Sequence, residues 1–346
     1  MAVLRVLMCE DSRLYAVALR RMLEYDGDIE VAAVCGTAEE AISALGRVNP
    51  DLVTMDVELP GMNGLEAVGE IMSSRPLPIL VLSGYVGAGS EKAAAALAAG
   101  ALDAIAKDDL DLHDPQGTMG AAFRHRVKAL SRARVIRHPR GRLAVPGGAT
   151  RPGHRASVAG ICASVGGPEL LTFLLSALPA DYPVPLLIVQ HMAAGFTDGL
   201  ARWLDRAVAM PVAVAAAGIP AGPGAWIAPH GAHLIVTGSG RLALDGRAGA
   251  GHHRPSGDVL LHSIAATAGG SGVAVVLSGM GRDGAAGAAA VQRRGGLAIA
   301  QDEVSSVVFG MPKAAIDEGV DLVLSPGEIA GCLQRLRCEP LTRARS

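Results

Sequence analysis

The stretch Val158-Ala-Gly-Ile-Cys-Ala-Ser164-Val-Gly-Gly-Pro-Glu169 decides the fold of the second half of the chain. Its first six residues form an apolar run, which predicts a short buried strand. The two glycines predict a tight turn, and Pro168 with Glu169 suits the first turn of a helix. A buried strand followed by a turn and a helix is typical of a parallel α/β sheet.

Two other apolar runs have the same pattern, and each leads directly into a polar segment. They are Leu186–Val189 before Gln190-His191-Met192, and Val273–Ser278 before Gly279-Met-Gly-Arg-Asp283-Gly284. The carboxyl ends of parallel strands meet at one edge of a sheet, which is where open α/β sheets bind ligands. We therefore expect Ser164, His191 and Asp283 to lie close together at that edge.

These three residue types are the ones that nucleophilic acyl transfer requires. A serine hydroxyl needs a base, which His191 would supply, and Asp283 would fix the tautomer of the imidazole. The glycines of the Asp283 segment would let the backbone approach closely and present an N–H group to an oxyanion. The residues predict a serine hydrolase. Its chain order and Cys162 two residues before Ser164 differ from the α/β-hydrolase pattern.

Other interpretations of the second half stay open at this stage. A nucleotide phosphate loop would need a glycine pattern and a lysine that the Ser164 segment lacks. Zinc sites at His230 with His233, or at His252 with His253, would lack thiol or carboxylate support. The domain would also keep its fold if it were a docking module that has lost its chemistry.

The bulk composition describes a folded protein with more than one domain. The 346 residues are 50% hydrophobic and 18% charged, with 44 glycines that suit strand-to-helix turns. No apolar stretch approaches the about 20 residues of a membrane helix, and the start has no signal-peptide pattern. Five widely spaced cysteines fit reduced thiols. We expect a cytoplasmic protein with no membrane insertion.

A basic stretch separates the two halves of the chain. Between Arg124 and Arg155 it contains ten arginines and lysines and no acidic residue, together with several prolines and glycines: Arg124, Arg126, Lys128, Arg132, Arg134, Arg137, Arg140, Arg142, Arg151 and Arg155. A basic run can bind DNA, but this one lacks interleaved aromatic residues. We therefore expect a solvated linker at 123–155, no nucleic-acid partner, and domains at 1–122 and 156–340.

Five apolar runs alternate with helical patterns in the first domain, which predicts a second doubly wound parallel sheet. They are Leu4–Met8, Glu30–Val34, Leu52–Met55, Ile79–Leu82 and Ala104–Ala106. Polar residues follow at the strand ends: Glu10, Asp11, Asp56, Ser83 and Lys107. Three adjacent carboxylates repel one another unless a hard cation such as Mg²⁺ lies among them. One carboxylate would attack a phosphoryl group while the metal and the lysine balance the charge.

Residues 3–110 resemble a response-regulator receiver domain. The resemblance is carried by the strand-end residues and by Asp51-Leu-Val-Thr-Met-Asp56-Val-Glu-Leu-Pro-Gly-Met-Asn-Gly64. It implies a flavodoxin-like fold with Asp56 as the phospho-acceptor. It also implies Mg²⁺ ligation by Glu10, Asp11 and Asp56, with Ser83 and Lys107 sensing the phosphoryl group. The chain departs from the family at Ala104, where an aromatic residue is usual, and at Asp108, where proline is common.

Residues 156–335 resemble the catalytic domain of the chemotaxis protein-glutamate methylesterases. The matching segments are Ile161–Leu170, Val189–Thr197, Leu277–Gly287, Arg254-Pro255-Ser256 and Ala300-Gln301-Asp302. The resemblance implies a Rossmann-like α/β fold with Ser164 as nucleophile, His191 as base and Asp283 as the residue that orients the base. It places the Met280 backbone N–H in the oxyanion hole.

The two resemblances together imply a methylesterase that is regulated by phosphorylation. The enzyme would hydrolyse glutamate methyl esters on chemoreceptor helices and deamidate receptor glutamines, after a histidine kinase has phosphorylated the receiver. It would need Mg²⁺ for phosphorylation and no cofactor for ester hydrolysis. Three departures surround the nucleophile: Cys162 replaces a glycine, Val165 replaces a threonine or serine, and Gly257 stands where valine is common.

Overall fold

The computed structural model describes residues 3–84, 88–133, 135, 154–246 and 253–341. It divides into two compact units, residues 1–138 with 192–199, and residues 139–191 with 200–346. Much of the predicted linker lies outside the described residues, including five of its basic residues: Arg134, Arg137, Arg140, Arg142 and Arg151. None of the described helices is long and apolar enough to cross a membrane.

The first unit is a five-stranded parallel sheet with the strand order β2-β1-β3-β4-β5. Its strands are β1 Leu4–Cys9, β2 Ile29–Cys35, β3 Leu52–Asp56, β4 Ile79–Ser83 and β5 Asp103–Ala106. Its helices are α1 Arg13–Leu23, α2 Ala38–Val48, α3 Gly64–Ser74, α4 Ala88–Ala98 and α5 Thr118–Ser131. The chain winds away from β1 in both directions, so this sheet is doubly wound as predicted.

Local sequence explains where these elements begin and what they bury. The side chains of Ser12, Thr37 and Asn63 cap the N-termini of α1, α2 and α3 by accepting backbone N–H bonds. Strands β3 and β4 are buried at every residue, which is typical of central parallel strands covered by helices on both faces. Their continuous apolar runs therefore predicted them well.

The second unit contains a seven-stranded parallel sheet with the order β15-β14-β13-β7-β8-β10-β9. Its strands are β7 Val158–Ala163, β8 Leu186–Gln190, β9 Val212–Val214, β10 Ala225–Ile227, β13 Gly272–Val276, β14 Leu297–Gln301 and β15 Leu322–Leu324. Two small pairs lie outside it: β11 His233–Val236 with β12 Leu242–Asp245, and β6 Arg155–Ala156 with β16 Arg337–Cys338. Its helices are α6 Gly167–Ser176, α8 Gly257–Ala268, α9 Ala285–Arg293, α10 Met311–Asp317 and α11 Pro326–Gln334. Helix α7, Phe196–Ala207, has its first four residues in the first unit and the rest in the second.

The predicted α/β class is confirmed for both units, and the three predicted strands of the second unit lie next to one another. β7 is the central strand, with β13 on one side and β8 on the other. The largest difference in a boundary of these three strands is at β13, which ends at Val276, two residues before the predicted end. Beyond that end, the N–H of Ser278 donates to Oε1 of the Gln301 side chain at 2.7 Å.

Candidate functional site

Ser164 lies on a tight turn directly after β7. Its N–H donates to the carbonyl of Ser278 at 3.0 Å, and its own carbonyl accepts from the N–H of Gly167 at 2.9 Å. Gly166 has a φ of 75°, a conformation that favours glycine, and a Cβ there would lie 2.8 Å from a methyl carbon of Val307. The turn therefore holds Ser164, half-buried, at the carboxyl edge of the sheet.

His191 lies beside Ser164 because β7 and β8 are paired in register. Ala163 is the partner of Gln190, and the N–H of His191 donates to the Ala163 carbonyl at 3.0 Å. The Gln190 side-chain amide donates to the Ser164 carbonyl at 2.8 Å and to the His191 carbonyl at 2.9 Å. This one amide ties both backbones together, a role that the sequence analysis did not assign to Gln190.

The imidazole of His191 is held by Asp283. Its Nε2 lies 2.8 Å from Oδ2 of Asp283, and the two side chains are only 9% and 10% exposed. The other ring nitrogen, Nδ1, is buried and has no hydrogen-bond partner among the described residues. The bond to Asp283 fixes the proton on Nε2, so Nδ1 is the nitrogen that is left to accept a proton.

The carboxylate of Asp283 accepts four hydrogen bonds. Oδ1 accepts from the Ser256 hydroxyl at 2.7 Å and from the Asp258 N–H at 3.0 Å. Oδ2 accepts from the Gly257 N–H at 2.6 Å and from His191. Burial alone would raise the pKa of Asp283. The bonds from His191, Asp258 and Gly257 outweigh it and hold that pKa well below its usual range.

Ser256 is itself fixed from two directions. Its hydroxyl accepts the N–H of Val259 as the N-cap of α8, and its own N–H donates to Nδ1 of His233 at 3.1 Å. His233 is 2% exposed, so its contact with Ser256 gives it a structural role. Neither His230 nor His233 belongs to a metal-ligating cluster of the described residues, and His252 lies outside them.

His253 contacts His191, a contact that the sequence analysis missed. The rings of His253 and His191 are stacked, with centroids 4.2 Å apart and an angle of 13° between their planes. From the sequence, His253 was interpreted only as one of two histidines, with His252, in a possible zinc site. The contact depends on the path of the loop before α8, which carries no periodic signal. The nearest clue was the neighbouring Arg254-Pro255-Ser256 segment.

The loop before Asp283 passes very close to Ser164. The Gly279 N–H donates to the Val308 carbonyl at 3.0 Å, and the Gly279 carbonyl accepts from Met311 at 2.9 Å. A Cβ on Gly279 would lie 2.7 Å from Cβ of Ser164 and 2.2 Å from Sδ of Met311. Only glycine fits here, which agrees with the predicted close approach. Met280, the predicted oxyanion donor, is the next residue in this fixed loop.

Two departures from the family pattern explain each other. A Cβ on Gly257 would lie only 2.6 Å from Sγ of Cys162, so the thiol occupies the space that a valine at 257 would need. Cys162 is fully buried, and desolvation raises the pKa of its thiol far above the usual value. Cys162 is therefore a packing residue beneath the Gly257 backbone and carries no thiolate.

The first unit gathers its predicted polar residues at its own sheet edge. Nζ of Lys107 lies 2.6 Å from Oδ2 of Asp56 and 2.7 Å from Oε2 of Glu10. Oxygen atoms of Glu10, Asp11 and Asp56 all lie within 4.8 Å of one another, and this is the one cluster of its kind among the described residues. Ser83 ends β4, buried and paired in register with the residue before Lys107.

The charges at this edge fit a hard divalent cation. Burial raises the pKa of Glu10, and the nearby Asp56 raises it further, against the effect of Lys107. Burial would lower the pKa of Lys107, but its bonds to Asp56 and Glu10 outweigh that and raise it. One lysine thus leaves three clustered carboxylates incompletely balanced, and oxygen ligands of this kind suit Mg²⁺.

Comparisons with known proteins match both units. The family described as CheB methylesterase matches residues 159–333, and the response regulator receiver domain matches residues 6–113. Protein-glutamate methylesterase/protein-glutamine glutaminase 3 of Myxococcus xanthus is 40% identical over 331 residues, covering 93% of this chain and 92% of that protein. A protein of the same name from Anaeromyxobacter dehalogenans is 39% identical, covering 94% and 97%.

A solved structure agrees with these matches for the second unit. The catalytic domain of the Thermotoga maritima CheB methylesterase is 38% identical, with a TM-score of 0.50. It covers 51% of this chain and 97% of that domain.

Proposed function

The chain belongs to the CheB methylesterase family, as its sequence predicted, and from this premise we propose how its residues divide the work. It is a protein-glutamate methylesterase and protein-glutamine glutaminase. Its receiver domain places the enzyme under phosphorylation control in chemotaxis-type signalling. We propose the domain limits 1–122 and 156–340, joined by the linker 123–155.

Ester hydrolysis begins with Ser164. Its Oγ bonds to the carbonyl carbon of a glutamate methyl ester while Nδ1 of His191 takes the hydroxyl proton. Asp283, with its low pKa, stays ionised and stabilises the imidazolium. The tetrahedral intermediate then breaks its bond to the methoxy oxygen, which leaves as methanol with the proton from His191. Water hydrolyses the acyl-enzyme by the same steps. Glutamine would lose ammonia in place of methanol.

The loop at Gly279 supplies electrostatic stabilisation of that intermediate. Gly279 is bonded through its own N–H and carbonyl, which fixes the peptide that carries the Met280 N–H beside Ser164. We assign this N–H to the oxyanion. Removing one such donor typically costs about 3 kcal/mol of barrier.

His253 acts on His191 by position. Its stacked ring covers one face of the imidazole, and the hydrogen bond to Asp283 fixes the ring edge. The stacking on the face of the His191 ring and the hydrogen bond at its edge together hold the ring in one orientation. In this orientation Nδ1 stays available to accept a proton. We assign His253 the role of a positioning residue.

The phosphorylation site that we propose lies in the first unit. We assign Asp56 as the phospho-acceptor and Glu10, Asp11 and Asp56 as the residues that would hold Mg²⁺. When bound, the ion supplies positive charge against the phosphoryl oxygens. Lys107, directly after β5, supplies a second positive charge at the same edge, and Ser83 would donate a hydrogen bond to the phosphoryl group.

The family sets the partners that we propose. These are methyl-accepting chemoreceptor helices as substrate and a histidine kinase of the chemotaxis type as phosphodonor. We propose a cytoplasmic location, since all five cysteines are free thiols. No nucleic-acid role is proposed, because the basic stretch lacks the aromatic residues that such binding uses.

One observation supports the catalytic assignment most strongly: Asp283 accepts four hydrogen bonds, one of them from His191, and the register of β7 and β8 puts His191 beside Ser164 on its tight turn. A fluorophosphonate probe and a methanol-release assay on methylated receptor test it. Wild type and Asp56→Asn should both label, and Ser164→Ala should neither label nor release methanol. If wild type labels no more than Ser164→Ala does, and the methyl esters of the receptor stay unchanged, the domain is instead a docking module that lacks this chemistry.

A further inference from the structure

Tyr15 presents its aromatic ring to the lysine of the phosphorylation site. It lies on α1, four residues after Asp11, and Nζ of Lys107 stands 4.5 Å from the centroid of its ring. A lysine ammonium within about 6 Å of an aromatic face is attracted by the negative potential of that face. Lys107 therefore has three attractive neighbours, namely Asp56, Glu10 and the ring of Tyr15.

The ring carries this contact, and the hydroxyl does not. The Tyr15 hydroxyl is buried and has no hydrogen-bond partner among the described residues. Burial and the carboxylates of Glu10 and Asp56 raise its pKa, so it stays neutral. A phenylalanine at this position would keep the ring and would lose no hydrogen bond. Tyr15→Phe is thus a matched control for removal of the ring.

The ring of Tyr15 also matters because position 104 holds an alanine. Ala104, on β5 three residues before Lys107, is buried and offers no aromatic group to the site. The aromatic ring that contacts Lys107 in this receiver lies on α1 instead of β5. With alanine at 104, the aromatic contact of Lys107 among the described residues is the ring of Tyr15.

We propose that Tyr15 is a positioning residue that holds the Lys107 ammonium at Asp56 before and during phosphorylation. This inference rests on the proposed phosphorylation of Asp56. As the Asp56 oxygen bonds to phosphorus, the bond from phosphorus to the donor's leaving atom breaks; that atom is an imidazole nitrogen in a phosphohistidine and an oxygen in an acyl phosphate. Negative charge then passes from the carboxylate to the phosphoryl oxygens. The attraction of Lys107 to Asp56 changes in this step, while its attraction to the ring does not. The Tyr15 ring thereby keeps the Lys107 ammonium in place to pair with the phosphoryl group on Asp56.

The test uses the full chain and two independent measurements. With lysines labelled with ¹³C at Cε, the Lys107 resonance is assigned by its loss in Lys107→Arg, in protein without Mg²⁺. It should be shifted upfield by the ring current in wild type and in Tyr15→Phe, and should return to the ordinary lysine position in Tyr15→Leu. With Mg²⁺ and a small acyl phosphate donor, phosphorylation of Tyr15→Leu should be about five- to tenfold slower. Tyr15→Phe should stay within about twofold of wild type.

Tyr25→Leu controls for the loss of a cation–aromatic contact elsewhere in the same unit, since Arg124 lies 5.1 Å from the Tyr25 ring. It should leave the phosphorylation rate within about twofold of wild type. An unshifted Lys107 resonance in wild type, or equal rates in Tyr15→Leu and Tyr15→Phe, would overturn the proposal. Labelling that persists in Asp56→Asn would instead overturn the phosphorylation assignment, and the resonance would still report on Tyr15.

Discussion

Asp56 and Asp283 are both carboxylates at the carboxyl edge of a parallel sheet, but they meet different numbers of hydrogen-bond donors. Asp283 accepts four hydrogen bonds, two on each oxygen. Asp56 accepts one backbone N–H, from Glu58 at 3.0 Å, and one bond from Lys107. A carboxylate oxygen has two acceptor positions, so Asp283 is saturated and Asp56 keeps positions open. The difference teaches that a saturated aspartate orients a neighbour, while an open one can bind a metal and react.

Replacing the open carboxylate should have the largest effect. Asp56→Asn removes the nucleophilic oxygen, because an amide cannot form an acyl phosphate. Radiolabel from a small phosphodonor with Mg²⁺ should disappear completely from the variant, and the wild type should label one site per chain. Label retained in Asp56→Asn would mean that another carboxylate of the cluster reacts. The unfilled acceptor positions of Asp56 would then not explain which carboxylate is phosphorylated.

Replacing the saturated carboxylate should slow ester hydrolysis by about 10³- to 10⁴-fold, the size of effect known for amide replacement of an orienting aspartate. Asp283→Asn places an NH₂ group against donors that need an acceptor, so the tautomer of His191 is no longer fixed. Methanol release measures this loss, and phosphorylation of Asp56 serves as the internal control because it should persist. A loss of less than tenfold would show that Asp283 does not orient the base.

Removing one donor tests whether saturation itself matters. Ser256→Ala deletes the 2.7 Å bond to Asp283 and the N-cap of α8, so methanol release should fall by about tenfold. Ser325→Ala is the matched control, since it removes the N-cap of α11 without touching Asp283. Its thermal stability should fall by a similar amount, and its turnover should stay near wild type. Equal turnover in the two variants would refute the contribution of the Ser256 bond.

The backbone donor Gly257 depends on the packing of Cys162. Gly257→Val would force a side chain into the thiol 2.6 Å away, and overpacking of this kind costs about 1–3 kcal/mol. Adding Cys162→Gly should recover part of that stability, which chemical denaturation of the two single variants and the double variant would measure as a coupling energy. Additive losses would show that the two positions are independent.

A largely buried carboxyl that accepts no hydrogen bond from the described residues should have an effect on stability of the opposite sign. Burial alone raises the pKa of Glu169, five residues after Ser164, to about 7. A raised folded pKa means that ionisation of Glu169 costs stability as pH rises from about 4.3 to 7. Glu169→Gln should therefore equal wild type near pH 4 and be more stable by about 3–4 kcal/mol above pH 7. Asp283, with its low pKa, should stabilise the fold above about pH 4 and lose that contribution only in stronger acid. A pH-independent difference for Glu169→Gln would contradict this assignment.

The sequence predicted the strands that carry the sites but not the contacts that tune them. The run Val158–Ala163 matches β7 at both ends, because a central parallel strand is apolar throughout. Strands of three residues such as β9 and β10 have too short a pattern to predict. The order of the strands also has no local signal.

The contacts around His191 were likewise not predictable from the sequence. Ser256 and His253 reach the site through the loop before α8, and that loop follows a tertiary path with no period along the chain. Tyr15 likewise meets Lys107 across a distance of many residues. Motif residues at strand ends are predictable from the sequence because topology gathers them, whereas the residues that position them depend on packing.

If the open carboxylate of Asp56 controls the serine hydrolase, the rate of ester hydrolysis should respond to phosphorylation. The most direct test measures methanol release from methylated receptor, with and without a small acyl phosphate donor and Mg²⁺. Wild type should accelerate on addition of the donor, Asp56→Asn should stay at its basal rate, and Ser164→Ala should release none in either condition. Equal acceleration of Asp56→Asn and wild type, or methanol release by Ser164→Ala, would contradict the account.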